Sequence, residues 1–154
     1  PYDQRYYREW MHELPPMQHA ERQSVLDVHH GILPETARRR PDSALLLAAA
    51  REVPQAPHWR VLCPADMVLH SMCHLFHNDE LSHGLRDLSD LDLMLRAHGA
   101  DGSFWPQLQS RAEALNLERT LHYGLQCTHH LLGTPVPREA LHAAARHAAP
   151  APVD

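Results

Sequence analysis

Three histidines at helical spacing and one carboxylate inside a β-like run are the residues of this chain best placed to do chemistry. His70, His74 and His77 stand at i, i+4 and i+7. At 100° per residue they span an arc of about 60°, so the three imidazoles leave one face of a helix. Neutral imidazole is a common transition-metal ligand, and two histidines one turn apart can share an ion, which makes His70 and His74 candidate metal ligands. The competing reading is a plain polar helix face, because a zinc site needs a further acid or histidine and none is fixed by spacing. The chain holds fifteen histidines, so pairs also arise by chance. His29 and His30 point to opposite faces of an extended segment, and His129 and His130 diverge by about 100° on a helix.

The carboxylate is Asp27. Ser24-Val25-Leu26-Asp27-Val28-His29-His30 is short, contains two valines and is closed by Gly31, which reads as a strand. Alternation places Asp27 on the opposite sheet face from Leu26 and Val28. Taken alone, that is a solvent-facing aspartate on a half-exposed sheet.

The elements that must hold these groups are mostly helical. Tyr6, Tyr7, Trp10 and Leu14 recur at helical spacing behind a cap at Asp3, ended by Pro15 and Pro16, and their apolar stripe should lie on something. Asp42 or Ser43 caps a short helix to about Glu52, and Trp59 to Leu62 reads as a short extended stretch. Pro64 suits the first turn of a helix from about Ala65 to Asn78. Leucines at 85, 88, 91 and 95 mark a helix from Leu81 to His98, stopped by Gly99 and supported by Arg86 with Asp90 and Asp92 with Arg96 at i,i+4. Asp87 suits helix-surface pairing better than catalysis. Ser103 caps a helix through Leu115, Leu117 to Leu132 line another ended by Gly133, and Pro137 to about Ala149 reads as the last. The strand at Asp27 has no evident partner in such a chain, so it is expected to join a sheet whose other strands lie upstream of Pro1.

Composition removes several functions. A formal charge of −5 argues against a nucleic-acid partner, because such affinity comes mainly from clustered cations; the run Arg38 to Arg40 reads as a solvated loop. The absence of lysine rules out a Walker-type phosphate loop and a lysine nucleophile within this segment. No His-Asp dipeptide and no Gly-x-Ser-x-Gly turn occurs, against His-Asp phosphohydrolase and serine hydrolase chemistry. The longest apolar run, Ala44 to Ala50, has seven residues, far from the roughly 18 needed to span a bilayer. Cys63, Cys73 and Cys127 form no C-x-x-C pair, which points to a reducing, cytoplasmic setting.

Three stretches together carry a family resemblance. Ser24 to Leu33 (S-V-L-D-V-H-H-G-I-L), Leu62 to His74 (L-C-P-A-D-M-V-L-H-S-M-C-H) and Leu85 to Asp92 (L-R-D-L-S-D-L-D) resemble the C-terminal part of the uncharacterised nucleotidyltransferase-like family, whose members look like relatives of the polymerase-β superfamily. The pattern is a hydrophobic-Asp-hydrophobic-His strand, a helix with spaced histidines and a helix opening Leu-Arg-x-x-x-Asp, and the likeness covers about residues 17 to 98. It implies that Asp27 is the third metal-binding carboxylate. It also implies a histidine stripe lining the cleft that faces a catalytic lobe, with His29, His74, Arg86 and Asp90 as substrate contacts. A nucleoside triphosphate and an unknown acceptor would be the substrates and a divalent metal, Mg2+, the cofactor.

The family's Gly-Ser turn and Asp-x-Asp pair do not occur here in usable form. Gly102-Ser103 opens a helix, and Asp90-Leu91-Asp92 lies on one, where its acids point about 200° apart. Nucleotidyl transfer uses two cations about 4 Å apart, and one carboxylate cannot hold both. The expectation is therefore a mainly α chain: the end of a nucleotidyltransferase-type core at residues 1–34 with one orphan strand, a helical domain at 35–149, and a loose tail at 150–154. The alternatives are a metal-binding helical bundle using His70 and His74, or a noncatalytic binding module.

Overall fold

The computed structural model describes residues 2–38, 40–77 and 84–148. Seven helices dominate these residues: α1 (Tyr2–Trp10), α2 (Ser43–Ala49), α3 (Pro64–His77), α4 (Gly84–Gly99), α5 (Phe104–Ala114), α6 (Glu118–Leu132) and α7 (Arg138–Ala148). Two small antiparallel hairpins, β1 (Met17–Gln18) with β2 (Val25–Leu26) and β3 (Arg51–Val53) with β4 (Ala56–Val61), complete the fold. The mainly α expectation holds.

The core is a bundle of α3 to α7. Val68, Leu69 and Met72 of α3 are fully buried and packed with Leu91 and Leu95 of α4, Leu108 and Ala112 of α5, Leu121 and Leu125 of α6 and Ala144 of α7. Burying a Leu-sized side chain contributes about 1.5–3 kcal/mol, so this layer carries the stability of the molecule. Gly124 lets α6 approach α3 closely: a Cβ there would lie 2.7 Å from Met72 Cγ. Gly133 ends α6 at φ 64°, donating its N–H to His129 O, the left-handed stop expected of it. Asn116, at φ 57°, makes the tight turn from α5 to α6 that asparagine tolerates better than most residues.

Two polar ties cross the bundle. Asp66 is wholly buried, and its two carboxylate oxygens each accept an N–H of Arg111 at 2.8 Å. Asp92 accepts from Arg96 at 2.8 Å and from Thr134 at 2.6 Å, while Arg96 also donates to the Leu132 and Gly133 carbonyls. The predicted Asp92–Arg96 pair is therefore present. Arg86 and Asp90 are both exposed, with no ion pair between them among the described residues.

The first third of the chain departs from expectation in four places. The strand at Asp27 is not an orphan, because Val25–Leu26 pairs with Met17–Gln18. The pairing extends through a Glu13–His29 bridge, and Leu14 donates its N–H to Val28 O at 2.8 Å. Pro15 and Pro16 lack the N–H a ladder needs, so the partner run is broken in its middle and gives no strand pattern. The first helix ends at Trp10 rather than Leu14, and Tyr6 and Trp10 remain 44% and 53% exposed instead of covered. The helix after Asp42 ends at Ala49, since Ala50 turns extended (φ −65°, ψ 142°) and Arg51 enters a hairpin with the run that holds Trp59. The Asp42 carboxylate, not Ser43, accepts from Ala44 N–H at 2.8 Å; Ser43 donates its hydroxyl to His30 O at 2.8 Å, tying the N-terminal arm to α2. Asn78, Leu81 and the tail at 150–154 lie outside the described residues.

Candidate functional site: a histidine-lined cleft

The arm formed by residues 11–34 folds back on the exposed face of α3. His12, His29, Ile32, Leu33 and Pro34 from the arm face His70, Cys73, His74 and His77 from α3 across a cleft of about 270 Å³. The three histidines expected to share one helix face do so, and that face is the cleft wall. Local pairing sets the arm side: His30 and Gly31 both donate backbone N–H groups to His12 O, at 2.9 and 3.1 Å. The same pairing places the His12 and His29 rings 5.1 Å apart.

The charges inside are mutually adjusted. Burial, then the neighbouring His29, pushes His12 below the ordinary imidazole range. Burial, then His74, His29 and His12, does the same to His70. Both rings are thus held neutral near pH 7, with a lone pair available. Glu13 brings the nearest carboxylate, Oε2 lying 3.5 Å from His29 Nε2. On the α4 side Asp87 Oδ2 lies 3.7 Å from His74 Nδ1, within ion-pair range of that ring but beyond a hydrogen bond.

Cys73, buried at the cleft floor, has its thiol pushed up to about 12 by desolvation. A thiolate is the reactive form, so Cys73 should resist alkylation in the native protein at mildly alkaline pH, whereas Cys127, half-buried on α6, should label first. Peptide mass spectrometry before and after denaturation checks this. Native labelling of Cys73 at the rate of Cys127 would show that the floor is open.

The other expected site residues are placed as follows. His29 and His74 are in the cleft wall. Asp27 follows β2, exposed, and does not line the cleft. Arg86 and Asp90 lie on the solvent side of α4, outside the cleft wall. His30 turns away from His29 into a separate surface pocket with Glu35, Arg40 and Asp42, and His129 and His130 bond to Thr134 O and Gln126 Oε1 respectively. His29 and His30 diverge as their spacing required, whereas the His129 and His130 rings, expected to point apart, meet edge to face with centroids 5.2 Å apart. His12 and Glu13 were missed. Their only signal was position opposite His29 in a hairpin, and the two prolines hid that hairpin.

A larger groove of about 650 Å³ between α5, α6 and α7 is lined chiefly by apolar groups including Trp105, Leu108, Leu121 and Leu125, and has no histidine or cysteine in its wall. The imidazole side chains gather instead in the smaller cleft.

A helical bundle carrying a histidine-walled cleft under a short β-arm is the class of site defined here. The chain belongs to the uncharacterised nucleotidyltransferase family, which matches residues 1–133, well beyond the stretch whose motifs resemble it. No curated protein and no solved structure matches it. No helix among the described residues is long and apolar enough to cross a membrane.

The described residues do not by themselves fit the two-cation centre that such transfer uses. Hard cations require several oxygen ligands each, and among the described residues Asp27 joins no group of three close ligand atoms.

Proposed function

We propose that this chain is the substrate-positioning, C-terminal part of a metal-dependent nucleotidyltransferase of polymerase-β type, which transfers a nucleotidyl group from a nucleoside triphosphate to an acceptor. In this reading residues 1–34 complete a catalytic core, and the helices from residue 35 onward hold substrate against it. The Gly-Ser turn and the Asp-x-Asp carboxylates come from outside these 154 residues, and Asp27 supplies the third acid. The observation that carries the proposal is the family match over residues 1–133.

The cleft supports a binding role. His29 and His74 present ring nitrogens able to donate hydrogen bonds to phosphate oxygens, and His74 has a carboxylate beside it at Asp87. Arg86 and Asp90, one turn apart on α4, would meet substrate only where it extends past the cleft. Three unpaired cysteines support a cytoplasmic setting.

The test uses the full-length protein, labelled nucleoside triphosphates and added Mg2+. Asp27→Asn should lower transfer on the order of 100-fold with little change in KM, while His74→Ala should mainly raise KM, the separation expected of a reacting-centre group and a binding group. Wild-type transfer by Asp27→Asn would remove Asp27 from the reaction.

A further inference from the structure

We infer that His12, Glu13 and His29 form a binding site for a divalent first-row transition metal, Zn2+ in the first instance, with one coordination position open to the histidine cleft. The inference does not depend on nucleotidyl transfer. Among the described residues this is the one group of three histidine, cysteine or acidic side chains whose ligand atoms all lie within 4.8 Å of one another.

The geometry suits a shared cation better than an ion pair. With zinc bonds of about 2.0–2.1 Å, neighbouring ligand atoms of a tetrahedral site stand about 3.3 Å apart. His29 Nε2 and Glu13 Oε2 stand 3.5 Å apart, long for a charge-assisted hydrogen bond and close to a coordination edge. His12 Nδ1 is shut off from water and has no hydrogen-bond partner among the described residues. Such a group is costly unless something else satisfies it.

Ligand type selects the metal. Two imidazoles and one carboxylate match zinc and its neighbours, whereas Mg2+ prefers an all-oxygen shell. Zinc held by three protein ligands keeps a fourth position for water or substrate. His12 and His29 both line the cleft, so that position borders the space walled by His70 and His74. This ligand set differs from the His70 and His74 pair that helical spacing alone suggests.

The test strips the whole protein of metal with a chelator, then titrates Co2+ alone by visible absorbance and Zn2+ alone by calorimetry. One equivalent should bind before any weaker sites fill. His12→Ala and His29→Gln should each weaken that step by about 100-fold or more, and Glu13→Gln by about 10-fold. The His29 side chain is 43% exposed, so His29→Gln removes a ligand without opening the core, and unchanged helical circular dichroism separates lost binding from lost folding. Absence of a stoichiometric step overturns the proposal. So does unchanged affinity in the His12 and His29 variants, or an equal loss in His70→Ala or His74→Ala.

Discussion

Arg111→Ala is expected to lower the unfolding free energy by about 3–5 kcal/mol, more than any exposed ion-pair deletion in this chain. Asp66 sits in the first turn of α3 with no exposed surface. Arg111, from α5, caps both of its oxygens at 2.8 Å and reaches on to Leu45 O at 3.1 Å. The Asp66 carboxylate in turn holds the guanidinium above its ordinary range. Removing the arginine strands a carboxylate in the core, and the loss reflects that stranded charge rather than the net worth of the pair. Arg111→Lys should recover only part of the loss, because an ammonium cannot match both oxygens with a planar fork. Urea denaturation of the two variants measures the difference. A loss below about 1 kcal/mol for Arg111→Ala would mean that water reaches Asp66.

Gly99→Ala is expected to destabilise by about 1–3 kcal/mol, an overpacking effect. A Cβ at this position would run into Cζ2 of the Trp105 indole and lie 3.0 Å from Cε2. An indole has no flexible end to yield, and this one is nearly buried, stacked edge-on with Phe104 at 5.4 Å, and donates Nε1–H to Gly99 O at 3.1 Å. Moving the ring breaks that hydrogen bond as well as the packing. Trp10 and Trp59 are 53% and 72% exposed, so the blue-shifted part of the intrinsic fluorescence belongs to Trp105 and should move red in the variant. Gly102→Ala is the control, since a Cβ there meets nothing within 4 Å. Equal stability of both variants would show that α4 and α5 are not clamped at this point.

Gly99 also illustrates what the sequence did and did not disclose. Of the leucines at 85, 88, 91 and 95 that marked α4, the last three are buried and Leu85 is 81% exposed; the glycine after them read only as a stop, because a packing contact with Trp105 leaves no trace in spacing. Helices α3 to α7 were legible for the same reason throughout: each carries its own apolar stripe and its own proline or glycine boundary. The hairpins were half legible. The runs holding Val25–Leu26 and Trp59 read as extended, but their partners Met17–Gln18 and Arg51–Val53 have too few alternations to register, and pairing is a property of two segments at once. The cleft was half legible. Periodicity put His70, His74 and His77 on one face, yet the partners His12 and Glu13 became visible only when the arm was seen to fold back. The family's expected site residues divide the same way: His29 and His74 reach the cleft, while Asp27, Arg86 and Asp90 face solvent.

The arm has one more consequence. Its two runs are joined by a single local turn, His19 to Gln23, and meet the helical core chiefly through Leu33, the cleft wall and the Ser43–His30 bond. Little apolar burial backs these contacts, so the arm is expected to open at a lower free energy than the helical bundle. A cation bridging positions 12, 13 and 29 would act there as a removable staple, favouring the closed arm by mass action on its own concentration and leaving the bundle behind it unchanged.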